Sequence, residues 1–184
     1  MSWFQRLLLI TIFATFVLVV IGGTVRATDS DLGCPDWPSC RGELIPPAEF
    51  HSLIEFSHRT AASVVGVLFL GVTFFAFKGE RRNPLVFWLT FAAGITLVAQ
   101  IILGGITVKK ELPAEIVALH LATAMTFMAL RLVSATVSLM RSHGRRALSA
   151  GSESGFARLA IASAAVAFAT LVLGSYISGT SSRS

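Results

Sequence analysis

Long apolar runs, each broken off by a short polar stretch, divide the chain into five segments at 7–25, 59–77, 84–108, 112–140 and 156–177. Charged residues gather between the runs rather than within them. Each run is close to the roughly 20 residues that an α-helix needs to cross a hydrocarbon layer, where a helix satisfies every backbone polar group internally. The pattern predicts an all-α integral membrane protein, a four-helix transmembrane bundle plus a fifth transmembrane helix. The bundle occupies 1–140 and carries an external loop at 26–54, rich in Pro, Gly and Asp, with room for a short interfacial helix. A basic linker at 141–155 marks the one expected domain boundary, and 156–184 holds the fifth helix and a short external tail.

Composition agrees with the pattern. Of 184 residues, 54% are hydrophobic and 14% charged, against about 25% charged in ordinary soluble domains. A net charge of +5 could suggest acidic partners in a soluble protein. In a membrane protein its distribution matters more, and haem, quinone or lipid replace nucleic acid as expected partners. With the N-terminus inside, nine Lys and Arg fall on the inner side and six outside, the bias of a protein with N-terminus in and C-terminus out. The first run also invites reading as a signal peptide. Its length, the lack of an Ala-x-Ala cleavage site, and a motif at its end that recurs later argue against that.

That motif, Gly22-Gly23-Thr24-Val25-Arg26-Ala27-Thr28, resembles Gly174-Ser175-Tyr176-Ile177-Ser178-Gly179-Thr180, and the third run ends similarly in Gly104-Gly105-Ile106-Thr107-Val108. The repeat predicts that the fifth run begins a second copy of the unit opened by the first.

His58 and His120 lie near same-side ends of two apolar runs. Imidazole is a strong ligand for haem iron, and a facing pair can hold a six-coordinate iron. Polar ties between helices would use the same residues. His120 sits about eight residues into its run, or about 12 Å. His58 reaches a similar depth only if its helix starts several residues before Arg59. In that case Glu55 and His58, three apart, share a helix face, and a buried carboxylate there could handle a proton. Supplying N-terminal helix charge beside Arg59 is the plainer role for Glu55. Arg59 suits a haem propionate or an interfacial anchor. Arg131, eleven residues past His120 and about 16 Å deeper, is expected to snorkel toward the basic side. His51 in the loop and His143 in the linker are expected to be ordinary solvated histidines.

Cys34 and Cys40 bracket Pro35-Asp36-Trp37-Pro38-Ser39 in the loop. An even pair in an external loop is free to oxidise, and Gly33, Pro35 and Pro38 favour the turns that would bring the thiols together. Such a bond could be redox-active or a local staple. Metal ligation by the two thiols is less attractive, because no further cysteine completes a soft-ligand set.

In order and spacing, Gly22 to Arg26, Cys34 to Cys40, Glu55-Phe56-Ser57-His58-Arg59, Gln100 to Val108 and His120-Leu121 together resemble the haem A synthase family over most of the chain. That family consists of membrane oxidoreductases that convert the methyl group of haem O to the formyl group of haem A. A full-length member is similar to two four-helix bundles in tandem, each with a histidine pair near the outer side. The resemblance implies a bacterial cell-membrane protein in which His58 and His120 contact the iron of the substrate, haem O, while Glu55 is the catalytic carboxylate; Arg59 stands as a candidate haem-binding residue from its own placement. It implies a redox-linked disulfide between Cys34 and Cys40. In the reaction so implied, hydroxylation occurs twice and the resulting diol loses water. A haem b cofactor is expected for the complete family enzyme, but ligands for it from a second half are absent here. The expected forms are therefore a truncated or fragmentary enzyme, a homodimer, with Gly104-Gly105 allowing close helix approach, or a non-catalytic haem-binding or haem-delivery protein. Haem O synthase and terminal oxidase assembly proteins are the partners the resemblance suggests.

Overall fold

The computed structural model describes residues 1–43, 45–80, 83–142 and 154–181. Five helices account for nearly all of them: α1 Trp3–Ala27, α2 Phe50–Phe75 continued by a π-helical turn at Ala76–Glu80, α3 Pro84–Lys109, α4 Ala114–Ser142 and α5 Ser154–Ser181. All five contain stretches long and apolar enough to cross a membrane. Their outward-facing residues are large and apolar, including Phe13, Val67, Leu70, Trp88 and Ile161. A surface of this kind is a liability in water and the required one in lipid. The chain is an integral-membrane helical bundle.

Local sequence sets several helix ends. At α1, Ser2 and Gln5 form a reciprocal capping box: the Gln5 N–H donates to Ser2 Oγ (3.2 Å) and the Ser2 N–H to Gln5 Oε1 (2.9 Å). The same Gln5 side chain donates to the Ser138 carbonyl on α4 at 3.0 Å, so one residue both starts α1 and ties it to its neighbour. Asn83 and Pro84 start α3, where the missing proline N–H costs nothing.

Helix α1 packs against α2 and α4, α3 packs against α4, and α5 lies along the outside of α4. Two apolar layers fill the four-helix core. One holds Val65, Phe69, Ala93 and Phe127; the other holds Phe4, Leu8, Val72, Ala76, Val86 and Ala135. Helix α5 adds little to either, and it approaches α4 closely where Gly179 meets Ala114.

Helix α2 begins at Phe50, nine residues before the expected start of its run. Residues 50–58 mix polar and apolar side chains and resemble loop in hydropathy. The segment between α1 and α2 supplies partners to His51, Ser52 and Glu55, so the helix extends into a region that composition reads as polar. The linker lies mainly outside the described residues, as does His143.

Candidate functional site

The segment between α1 and α2 folds back onto the start of α2. Gly33 lies so close that a Cβ there would stand 2.3 Å from the His51 carbonyl oxygen. Ser52 Oγ donates to the Gly33 carbonyl at 2.8 Å, and Ser30 Oγ and His51 Nδ1 are 2.9 Å apart. His51 is exposed, as expected, but also helps seat the loop. Cys34 and Cys40 are bonded to each other and fully buried or nearly so. Beyond Cys40 the chain reverses through Arg41 and Gly42, both with positive φ, as a tight two-residue turn requires. Cys40 and Glu43 exchange both backbone hydrogen bonds across it at 3.1 Å.

Glu55 and Arg59, one helical turn apart on α2, hold this loop. The Cys34 N–H donates to Glu55 Oε2 at 2.7 Å, while Arg59 Nη2 pairs with Glu55 Oε1. The guanidinium also donates to three loop carbonyls, Asp36 and Ser39 at 2.7 Å and Cys34 at 2.8 Å. Glu55 is 4% exposed. The disulfide loop, the carboxylate and the guanidinium thus form one hydrogen-bonded unit. Arg59, read from sequence as suited to a haem propionate or an interfacial anchor, donates from both terminal nitrogens to the loop and from Nη2 also to Glu55.

Toward the bundle interior lie the two histidines, on α2 and α4. Each faces a glycine of the helix beside its own. A Cβ on Gly22 of α1 would stand 3.0 Å from His58 Cε1, and one on Gly104 of α3 would stand 3.4 Å from His120 Cε1. The two imidazoles are within electrostatic reach of one another. Nδ1 of each is buried without a hydrogen-bond partner. On α3, Gln100 Nε2 donates to the His120 carbonyl at 2.6 Å and also contacts Thr123 Oγ1, which fixes the α3–α4 register at the site. Trp37, from the middle of the disulfide loop, lays its ring on Gly105, with the nearest ring atom 3.2 Å from where a Cβ would be. Adjacent glycines on α3 therefore accept one imidazole from within and one indole from the loop.

Sequence reasoning brought forward Glu55, His58, Arg59, His120 and the cysteines, and the fold gathers them at one end of the bundle. It marked Gly22, Gly104 and Gly105 as parts of a repeat, and Gly104-Gly105 as a place of close helix approach, but did not assign them to the histidines, and it gave Trp37 no role. The signal was available: a Gly-Gly pair closes α1 and α3, the helices immediately before each histidine-bearing helix. Gly174, the third member of that repeat, has nothing within 4 Å of its would-be Cβ.

Arg131 does not snorkel. It is 0% exposed, on the bundle-facing side of α4, and helical side chains lean toward the helix N-terminus, here away from the basic end.

Beside the loop, Arg26 Nη1 and Asp31 Oδ2 form an ion pair at 3.4 Å. Burial pushes the Asp31 carboxyl above its ordinary value of 3.8, against the opposing pull of Arg26. The folded state therefore holds that proton more tightly than the unfolded chain. Stability from this source is present at low pH and lost as pH rises through the elevated value. The melting temperature of the wild type relative to Asp31→Asn should accordingly fall as pH is raised from about 4 to 7; parallel curves would contradict this.

The fold and site define a polytopic helical membrane protein with two interior histidines beneath a carboxylate-clamped disulfide loop. Among the described residues no group of three or more His, Cys, Asp or Glu side chains is placed to hold a metal ion, so the histidines stand as a pair. The family model described as cytochrome oxidase assembly protein (COX15-CtaA) matches residues 5–52 and 48–183. The chain belongs to that family. It is similar to the heme A synthase of Exiguobacterium sibiricum, 35% identical over 146 residues, covering 75% of this chain and 48% of that protein. The heme A synthase of another Exiguobacterium strain is 33% identical over 119 residues (64% and 40%). That of Geobacillus kaustophilus is 31% identical over 111 residues (60% and 35%). The chain spans about half the length, or less, of these curated relatives. No solved structure matches it.

Proposed function

We propose that this chain binds haem O between His58 and His120 and takes part in oxidising its methyl group to the formyl group of haem A. The observation that carries this reading is the placement of the two imidazoles at one end of the bundle, each seated on a glycine of a neighbouring helix, with a buried carboxylate one turn from His58. The donor set suits a porphyrin iron: two neutral-capable imidazoles with unengaged Nδ1 atoms, each packed against a glycine, and an apolar layer below. The haem supplies the redox-active iron. The chain positions the macrocycle through the histidines, excludes water with Trp37 and the loop, and holds at Glu55 the carboxylate that moves protons near the reacting group. Arg59 positions Glu55 and the loop. The disulfide, through the Cys34 N–H, links the redox state of the cysteines to the orientation of Glu55. The N-terminus lies inside and the loop outside.

One observation favours a second reading, haem binding or delivery without conversion: both oxygens of Glu55 are already engaged, by the Cys34 N–H and by Arg59. Adding haem O to the purified protein in air with an electron acceptor, which takes up the electrons that methyl-to-formyl oxidation releases, and separating the pigments distinguishes the two. Conversion by the wild type, and haem retention without conversion by Glu55→Gln, is expected for the enzyme. Retention without conversion by the wild type leaves carriage. Full conversion by Glu55→Gln removes the role given to that carboxylate.

A further inference from the structure

Arg131 is a buried cation that no described residue neutralises. Its Nε, Nη1 and Nη2 all lack hydrogen-bond partners, as does the buried Oγ of Ser134 one turn further along α4. The guanidinium carbon lies 5.2 Å from the centre of the Phe69 ring. A phenyl face offsets only part of what a guanidinium loses on leaving water. Other buried hydroxyls, those of Thr11, Thr15 and Thr90, donate to carbonyls of their own helices. Among the described residues, the acidic side chains belong to the loops, turns or first two turns of a helix. None of them stands at Arg131's depth, which leaves a counter-charge to be supplied by a bound group.

The register points to where it comes from. Phe69 follows His58 by eleven residues on α2, and Arg131 follows His120 by eleven on α4. Eleven residues make about three turns and about 16 Å, which returns each helix to nearly the same face. Phe69 and Arg131 therefore stand below the histidine pair on the same helix faces, in the layer that Phe69 shares with Val65 and Phe127. Side chains of α4 lean toward its N-terminus, the end that carries His120, and the guanidinium carbon lies against the Phe69 ring.

We infer that Arg131, with the Ser134 hydroxyl, forms a carboxylate site inside the bundle for the acid group of a large apolar ligand. A planar fork of donors matches a carboxylate bidentately, and Phe69, Phe127 and Val65 offer apolar surface to the rest of the molecule. A haem propionate and a fatty-acid carboxylate share this chemistry. The haem case rests on the function proposed above; the fatty-acid case does not.

The test uses the purified full chain and Arg131→Met, titrated with haem, with haem dimethyl ester and with oleate, reading Soret absorbance and melting temperature. Without ligand, Arg131→Met should melt at or above the wild-type temperature, because an unpaired buried charge is gone. Wild type should bind haem about tenfold or more tighter than the ester, the order expected for a charge-assisted hydrogen bond, and Arg131→Met should lose that preference. If oleate instead raises the melting temperature of the wild type but not of the variant, the site stands and its acid is a lipid's. Equal binding of acid and ester by the wild type, with no Arg131-dependent effect of oleate, overturns the inference. So does a large fall in the ligand-free melting temperature of Arg131→Met, which would mean that the arginine has a partner within the chain. Absence of any haem spectrum in the wild type defeats the proposed function, while the oleate titration still tests the site.

Discussion

Gly33→Ala should unseat the disulfide loop and destabilise the protein by about 3–5 kcal/mol, combining overpacking with the loss of hydrogen bonds to buried groups. The added Cβ would lie 2.3 Å from the His51 carbonyl oxygen and 2.8 Å from the Ser52 nitrogen. Both are backbone atoms of α2, so no side-chain rotation relieves the clash. The chain at Gly33 must move away, and Cys34 is its immediate neighbour. The bond from the Cys34 N–H to Glu55 and that from Ser52 to the Gly33 carbonyl stretch together, leaving a buried carboxylate with only Arg59. Gly23→Ala is the control, because nothing lies within 4 Å of its Cβ. It is expected to match or slightly exceed wild-type stability, since alanine is the better helix former. Thermal melts of the two variants in detergent check this, and equal melting temperatures for Gly33→Ala and wild type would show that the loop is not seated on α2 as described.

The second large effect concerns the glycines under the histidines. On the proposed function, Gly22→Leu and Gly104→Leu should each weaken haem binding by about 10–100-fold, the loss typical when the support of a ligand is disturbed. Smaller substitutions should separate the two positions. At Gly22 an alanine Cβ would stand 3.0 Å from His58 Cε1, so the imidazole has to shift. At Gly104 the corresponding distance to His120 is 3.4 Å, an ordinary contact. Gly22→Ala should therefore alter the haem spectrum and Gly104→Ala should leave it unchanged. Soret titrations alongside His58→Ala and His120→Ala, which set the limit for complete loss, make the comparison. If Gly22→Leu binds haem as the wild type does, His58 does not approach the iron from its place against α1.

How much of this could be read along the chain differs from element to element. The spans near α1, α3 and α5 were legible because apolar runs that face lipid or core on all sides carry their own evidence. The start of α2 was not. Residues 50–58 look like loop until the segment folding over them satisfies Ser52 and Glu55. The motif Glu55 to Arg59 marked the site but not its division of labour. Arg59 serves the loop because the carbonyls of Cys34, Asp36 and Ser39 converge on it, a convergence between residues 20 or more apart. Arg131 was expected at the basic surface because length and charge are visible in sequence, whereas the direction in which α4 turns that side chain is not.

Sequence alone determined that this is a helical membrane protein with five apolar spans and a set of histidine, glutamate and cysteine residues in a family-like order, since lipid imposes length and composition directly on each segment. Only the tertiary structure decided that His58 and His120 lie at one end of the bundle within electrostatic reach of one another, that each rests on a glycine from another helix, that Glu55 is clamped by the loop backbone, and that Arg131 is buried without a hydrogen-bond partner among the described residues. These are relations between side chains on different helices. They depend on the rotation and depth at which the helices pack, which no single segment encodes.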